Sequence, residues 1–207
     1  MSLKVIHTKK CESPVENGIS DQSLWKAFQM GNKEAYAEIY ESHFDDLFDY
    51  GEKIIDNADL IEDAIHDLFT DLWKSKENLG EPKSLKGYLL SAVRRVIFRK
   101  IKKERRYTYL TNGTHFDEYL LENSCEEKLI SKQMKLAHHE SLKQALKELT
   151  NRQKEAIYLR FYHNLDGAEV ASVMNISLEA VYNHISKGIG RLKDTLRYSA
   201  NPPPVPG

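Results

Sequence analysis

Two sets of charged side chains stand out by their spacing. Asp59, Asp63, Asp67 and Asp71 recur every four residues. On a helix that spacing stacks them on one face, where each like-charged pair repels by about 0.2–0.5 kcal/mol. A solvated face would tolerate this cost. A basic partner surface would turn it into complementarity, and we favour that reading. The second set has the opposite sign: Arg95, Arg99, Lys102 and Arg106 lie at i, i+4, i+7 and i+11 on one face of another helix. Tyr88 extends that face, Phe98 sits beside it, and Arg94 and Arg105 add charge on the flank. Such cations displace counterions from a nucleic-acid backbone, and aromatic faces stack unpaired bases. A cationic helix end that complements its own dipole is the plainer alternative. Glu104 is the one acid among residues 95–106, so nucleic acid is the preferred partner.

Covalent chemistry finds less support. His66-Asp67 imitates the metal-binding dyad of all-helical phosphohydrolases, but His43 and Asp117 are the only loosely suitable further ligands. Neighbouring residues also project about 100° apart on an ideal helix. His138-His139 read as solvated. Cys11 and Cys125 sit in no CxxC or Cys/His spacing and are expected to be reduced thiols. The expectation is therefore a binding protein, with no catalytic residue, metal or cofactor.

The elements that must position these groups are helical. Of the 207 residues, 41% are hydrophobic and 29% charged, with a net charge of -1, ordinary values for a globular chain. No stretch approaches the roughly 20 apolar residues of a membrane span. The start, MSLKVIHTKKCESP, holds no signal-peptide block, so no membrane insertion and a cytoplasmic location are expected. Residues 1–20 read as a tail. Asp21 is a plausible N-cap before Leu24, Trp25, Ala27 and Phe28, and Gly31 ends that helix. A second helix runs from about Asn32 past Phe48, and Asp56-Asn57 breaks it. The third continues through Trp73 with Ile61, Ala64, Ile65, Leu68 and Leu72 as its buried stripe. Gly80, Pro82 and Ser84 mark a turn before a long helix from about Leu85 to Arg106, whose stripe is Leu85, Leu89, Ala92, Val93 and Val96. Residues 107–130 fit no template and form the linker. Helical periodicity resumes around Lys128 and continues, with interruptions, to Arg197, which sets the second domain at 131–197, and prolines make 198–207 an extended tail. No segment alternates at period two. The fold class is all-α, with two small helical domains joined by a flexible linker.

The second domain carries the strongest local pattern. Leu149, Ala156, Ile157, Leu159 and Phe161 would form a first layer. Gly167 to Met174 forms a short helix, Asn175-Ile176 a tight turn, and Ser177 caps a second helix, with small Ala171 at the close approach. Ile176, Val181 and Ile185 would lock that second helix in place, which makes a helix-turn-helix. Glu179, Asn183, Ser186 and Lys187 then point outward, with His184 and Arg191 on the flank. Asn and Lys suit base edges in a major groove, and cations suit phosphates.

Both domains resemble one family, the extracytoplasmic-function sigma factors of bacterial RNA polymerase. EDAIHDLFTDLW is similar to the family helix that docks on the polymerase clamp, with His66 in place of the usual Gln. YLLSAVRRVIFRKIKKERR is similar to the helix that opens and captures the minus-ten promoter element. TNRQKEAIYLRFYHNLDGAEVASVMNISLEAVYNHISKGIGRLK is similar to the domain that reads the minus-thirty-five element. The resemblance implies a four-helix promoter-melting domain over 21–106 and a C-terminal helix-turn-helix domain over 131–197. It implies core RNA polymerase and promoter DNA as partners, and commonly an anti-sigma factor.

Under that resemblance the polymerase-docking set is Asp59, Glu62, Asp63, His66, Asp67, Phe69, Asp71 and Trp73. The DNA-contacting set is Tyr88, Arg94, Arg95, Phe98, Arg99, Lys102 and Arg106, then Ser177, Glu179, Tyr182, Asn183, His184, Ser186, Lys187 and Arg191. Departures bear on specificity: Arg95 and Arg99 replace a frequent Asn and Asp, and Tyr182 and His184 replace frequent Lys and Arg. The rival readings are a helix-turn-helix regulator of duplex DNA and a sigma mimic that does not engage core polymerase.

Overall fold

Short polar side chains decide where the helices start. In the computed structural model, which describes residues 20–104 and 142–200, the Asn32 side chain accepts the Ala35 N–H at 2.7 Å and opens α2 (Lys33–Ile54). Asn57 does the same for Leu60 at 3.0 Å and opens α3 (Ala58–Ser75). Ser84 accepts the Gly87 N–H at 3.1 Å at the start of α4 (Leu85–Glu104). Each such cap satisfies an otherwise orphaned helix N–H and contributes about 1 kcal/mol. The first helix, α1 (Asp21–Gln29), is capped by Ser20, whose side chain accepts from Ser23 at 3.2 Å. The expected cap Asp21 is one residue inside the helix, where its charge suits the dipole. Gly31, at φ +87°, takes the left-handed turn that separates α1 from α2.

Helices α1 to α4 close around one apolar centre. Trp25 and Phe28 meet Ile39, Leu47 and Tyr50 of α2, the predicted α3 stripe, and Leu85, Leu89 and Val93 of α4. Gly51 lets α2 lie directly on α3: a Cβ there would sit 2.5 Å from Ile61 Cγ2. The Trp25 indole N–H donates to Gly80 O at 3.2 Å, and the Gln29 amide donates to Leu79 O. These two bonds pin the loop that leads into α4.

The second domain is built from a helical stretch at 142–147, α5 (Asn151–Phe161), α6 (Gly167–Met174) and α7 (Leu178–Ala200). Thr150 with Gln153 and Asp166 with Glu169 form reciprocal capping boxes at α5 and α6. Asn175 closes α6 in the left-handed conformation at φ 53°. The Ser177 hydroxyl accepts the Ala180 N–H at 3.1 Å and starts α7. This is the predicted helix-turn-helix, with Val181 fully buried and Ile176 and Ile185 half-buried. Gly188 lets α7 approach α5, since a Cβ would meet Ile157 Cδ1 at 2.8 Å. Phe161, expected in the helical layer, is instead 58% exposed at the end of α5.

All of the described secondary structure is helical, apart from turns and the connecting segments. The two domains share one continuous core, because α6 packs along α4 and residues such as Ala156, Tyr158 and Val173 join the apolar cluster of the first domain. The expected linker 107–130, residues 1–19 and 201–207, Arg105, Arg106, Cys11, Cys125, Asp117 and His138-His139 lie outside the described residues; of the expected tails, Ser20 instead caps α1 and residues 198–200 continue α7 past its expected end at 197.

Candidate nucleic-acid interface

The basic helix divides its cations between two environments. Arg95, Arg99 and Lys102 are exposed on one face of α4, as their spacing requires. Arg94 is buried: its Nε donates to Glu155 Oε1 at 2.7 Å, and its guanidinium lies 4.6 Å from the centroid of the Phe98 ring. Phe98 is 44% exposed. Arg106 lies outside the described residues. Tyr88 is half-buried, edge-on to Trp25 at 5.6 Å. Burial pushes its hydroxyl pKa up, while the positive charge of Arg95 pulls the other way.

A cleft of about 250 Å³ opens between α3 and α4. Tyr88, Arg95 and Arg99 line it from α4, Asp71 and Ser75 from α3, and Leu79 from the loop that α1 pins. An apolar floor under cations and an aromatic ring is a surface for a planar, negatively tethered group. The volume falls below the roughly 300–1,000 Å³ of drug-sized sites.

On α3 the acidic face is solvated, as its periodicity predicts: Asp59, Glu62, Asp63, His66, Asp67 and Asp71 are all exposed. Its charge is partly met within the chain, because Lys100 of α4 reaches Asp67 at 2.8 Å and Asp63 at 3.9 Å. Pairs this exposed contribute at most about 1 kcal/mol and exchange readily with a partner's cations. Phe69 is buried in the core and Trp73 half-buried in a cluster with Phe28 and Tyr36. Their aromatic bulk positions α3 rather than covering its outer face. His66 shares a hydrogen bond of 3.1 Å with the Tyr40 hydroxyl and stacks on that ring. No group of three or more His, Cys, Asp and Glu side chains that could hold a metal occurs among the described residues.

In the helix-turn-helix, Glu179, Asn183, Ser186 and Lys187 are exposed on α7, and His184 is half-buried. Tyr182 is 59% exposed, with its ring against the start of α6, where a Cβ on Gly167 would lie 3.0 Å from the hydroxyl oxygen. Ser177 is occupied as a cap. Arg191 donates to Glu148 O at 3.1 Å and Gln153 Oε1 at 3.2 Å, and so ties α7 to the entry of α5.

Sequence reasoning missed the residues that hold the domains together. Glu155 is buried and also accepts the Tyr50 hydroxyl proton at 2.8 Å and Arg152 Nη1 at 3.3 Å. Burial pushes the Tyr50 hydroxyl well above its ordinary value, reinforced by the Glu155 carboxylate. Asp46 of α2 pairs with Lys86 at 2.8 Å and lies 3.9 Å from His163 Nδ1. Burial works to raise the Asp46 carboxyl, but the Lys86 hydrogen bond and charge hold it below the usual value. Buried Gln153-Lys154-Glu155 looks like a solvated run in sequence, and no periodicity signals that Gln153 meets Arg191 of α7 or that Glu155 meets Tyr50 and Arg94 of the first domain.

A four-helix domain with a basic helix, followed by a helix-turn-helix domain, defines an all-helical DNA-binding class. The family profile described as Sigma-70 region 2 matches residues 39–107, and that described as Sigma-70, region 4 matches residues 139–192. Together they cover more than half of the chain, and the chain belongs to the sigma-70 family. Only residues 108–138 separate the two matches, the arrangement of the extracytoplasmic-function type. Solved structures include CnrH in complex with the cytosolic domain of CnrY, at 17% identity and TM-score 0.54, covering 86% of this chain and 97% of that one. The sigma factor RpoE in complex with the anti-sigma factor NepR, from Bartonella quintana, gives 18% identity and TM-score 0.49, covering 80% and 96%. No curated protein matches the chain. No helix among the described residues is long and apolar enough to cross a membrane.

Proposed function

We propose that this sigma-family chain binds core RNA polymerase in the cytoplasm and directs it to specific promoters, where it captures the melted minus-ten element. The observation that carries this is the cleft between α3 and α4, with Arg95 and Arg99 beside it. The exposed Arg95/Arg99/Lys102 face holds phosphates of one separated strand, and the cleft beside Tyr88 takes an unstacked base. No bond to the DNA is made or broken; binding the strand selectively in its melted form is what favours opening. The second domain grips upstream duplex through Asn183, Ser186 and Lys187, with Glu179, Tyr182 and His184 setting base preference. Two moderate contacts on one chain reinforce each other through effective concentration.

The acidic face of α3 seats on a basic surface of the polymerase, with Lys100 exchanged for the partner's cations. Direct titration onto core polymerase tests this. Asp63→Lys with Asp67→Lys is expected to weaken binding at least about tenfold, the effect of reversing two contact charges. Unchanged affinity would overturn the docking assignment. An anti-sigma factor belongs to the same proposal, as a partner that holds the chain inactive; the complex of CnrH with a second protein supports looking for one.

A further inference from the structure

We propose that Leu178, with Tyr182 beside it, reads the 5-methyl group of thymine in the upstream duplex and is a specificity-determining residue of the second domain. The inference rests on the reading of the helix-turn-helix as the duplex-gripping unit and deepens it; Leu178 is not among the expected DNA contacts.

Leu178 opens α7, and the Ser177 cap, which accepts the Ala180 N–H at 3.1 Å, fixes the turn on which it sits. Val181 in the same turn is fully buried. Leu178 instead keeps 43% of its surface exposed, and Tyr182, one turn further on, keeps 59%. Both lean on the start of α6: a Cβ at Gly167 would lie 3.0 Å from Leu178 Cδ1 and 3.0 Å from the Tyr182 hydroxyl oxygen. Because Gly167 has no side chain, the two can meet there. Their exposed surfaces therefore form one apolar patch braced from behind, rather than two scattered side chains.

The patch is continuous with the groove face. At 100° per residue, Leu178, Tyr182 and Ser186 follow one another in steps of about 40° around α7, with Glu179 and Asn183 exposed next to them. In a helix-turn-helix the N-terminal residues of the second helix touch base edges, so the apolar end of this row is the end that reaches the bases. The major-groove edges of the four bases carry a single apolar group, the C5 methyl of thymine, and apolar side chains are its matching contact. Burying that methyl against Leu178 is equivalent to about a fourfold gain in affinity. A purely polar base edge at the same place would lose its water without gaining a hydrogen bond. The occupant is thus a thymine, and the upstream element carries at least one that faces the start of α7.

The test uses holoenzyme, core polymerase with the full-length chain, on a promoter recovered by run-off transcription from genomic fragments. Each upstream thymine is replaced in turn by deoxyuridine, which keeps the base pair and removes only the methyl, and affinity is read by titration. The expected result is that at least one replacement weakens binding about fourfold. Holoenzyme with Leu178→Ala is expected to be indifferent to that replacement, while Leu178→Met, which keeps the apolar bulk, still responds. Neutral replacements throughout overturn the proposal. So does a Leu178→Ala holoenzyme that loses affinity by the same factor as the parent, since Leu178 then only braces α6. Weakened core binding by Leu178→Ala with the methyl response intact assigns the patch to a protein contact and also overturns it. If the chain directs no transcription, the same replacements are made in a duplex that the chain alone selects from a random library. A methyl response carried by Leu178 there keeps the proposal and removes the polymerase reading; transcripts without a methyl response do the reverse. A chain that selects no duplex in either form overturns both.

Discussion

At the residue scale, burial decides what each side chain can do, and two sites give measurable consequences. Gly51 is buried where α2 meets α3, and an added methyl would lie 2.5 Å from the stiff, branched Ile61. Gly51→Ala is expected to destabilise the protein by about 1–3 kcal/mol through overpacking, despite the better helix propensity of Ala. Urea unfolding checks this, and a stabilised variant would contradict the close approach. His43 shares a 3.0 Å contact with Ile39 O. Burial lowers its pKa below 6.5, against the opposing pull of that carbonyl. The unfolded chain then binds more protons just below pH 6.5, so stability rises with pH through that window and is complete above it. Asp46, also lowered, acts in the same direction but at more acid pH, below its ordinary 3.8. His43→Gln should flatten the slope of unfolding free energy against pH just below 6.5, and, because the His43 charge helps lower Asp46, should weaken the acid limb without removing it. Arg94 shows where spacing falls short at this scale: helical position puts it on the flank of the basic face, and only the arrival of Glu155 from the other domain determines that it is buried.

At the scale of elements, period and caps made most of the fold legible. The stripes of α3 and α4 are buried as their spacing predicts, and Asn57, Ser84 and Ser177 begin helices where polar residues precede apolar runs. Two expectations moved for physical reasons. Ser20 displaced Asp21 as a cap by one position, and Phe161 fell beyond the turn at which α5 stays covered. Among the expected DNA residues, Ser177 and Arg191 already have partners within the domain, which a list of outward positions does not reveal. The cationic face of α4 is expected to act through charge. Arg95→Ala with Arg99→Ala should weaken binding to single strands and reduce the slope of log affinity against log salt by about 1.4, or 0.7 per lost phosphate contact. An unchanged slope would mean these side chains touch no phosphate. Ser177→Ala, by contrast, should cost about 1 kcal/mol of stability as a lost cap, and thermal unfolding would register it.

At the scale of the whole molecule, the division into two helical domains followed from composition and periodicity, and the family matches agree with it. Their packing against each other did not follow. Contacts between Tyr50 or Arg94 and Glu155 span 105 and 61 residues, and no local pattern encodes a pairing at that distance. The acidic face of α3 and the basic face of α4 were legible as opposites, but Lys100 joining them was not. Together these surfaces are proposed to make core polymerase start transcription at chosen sites. Run-off transcription on genomic fragments, with core polymerase in the presence and absence of the protein, tests it most directly. Discrete new transcripts that depend on the protein, and that diminish when Arg95 and Arg99 are replaced by Ala, are the expected result. If the protein neither binds core nor changes the transcripts, the proposed function is contradicted, and a regulator of duplex DNA or a sigma mimic becomes the better description.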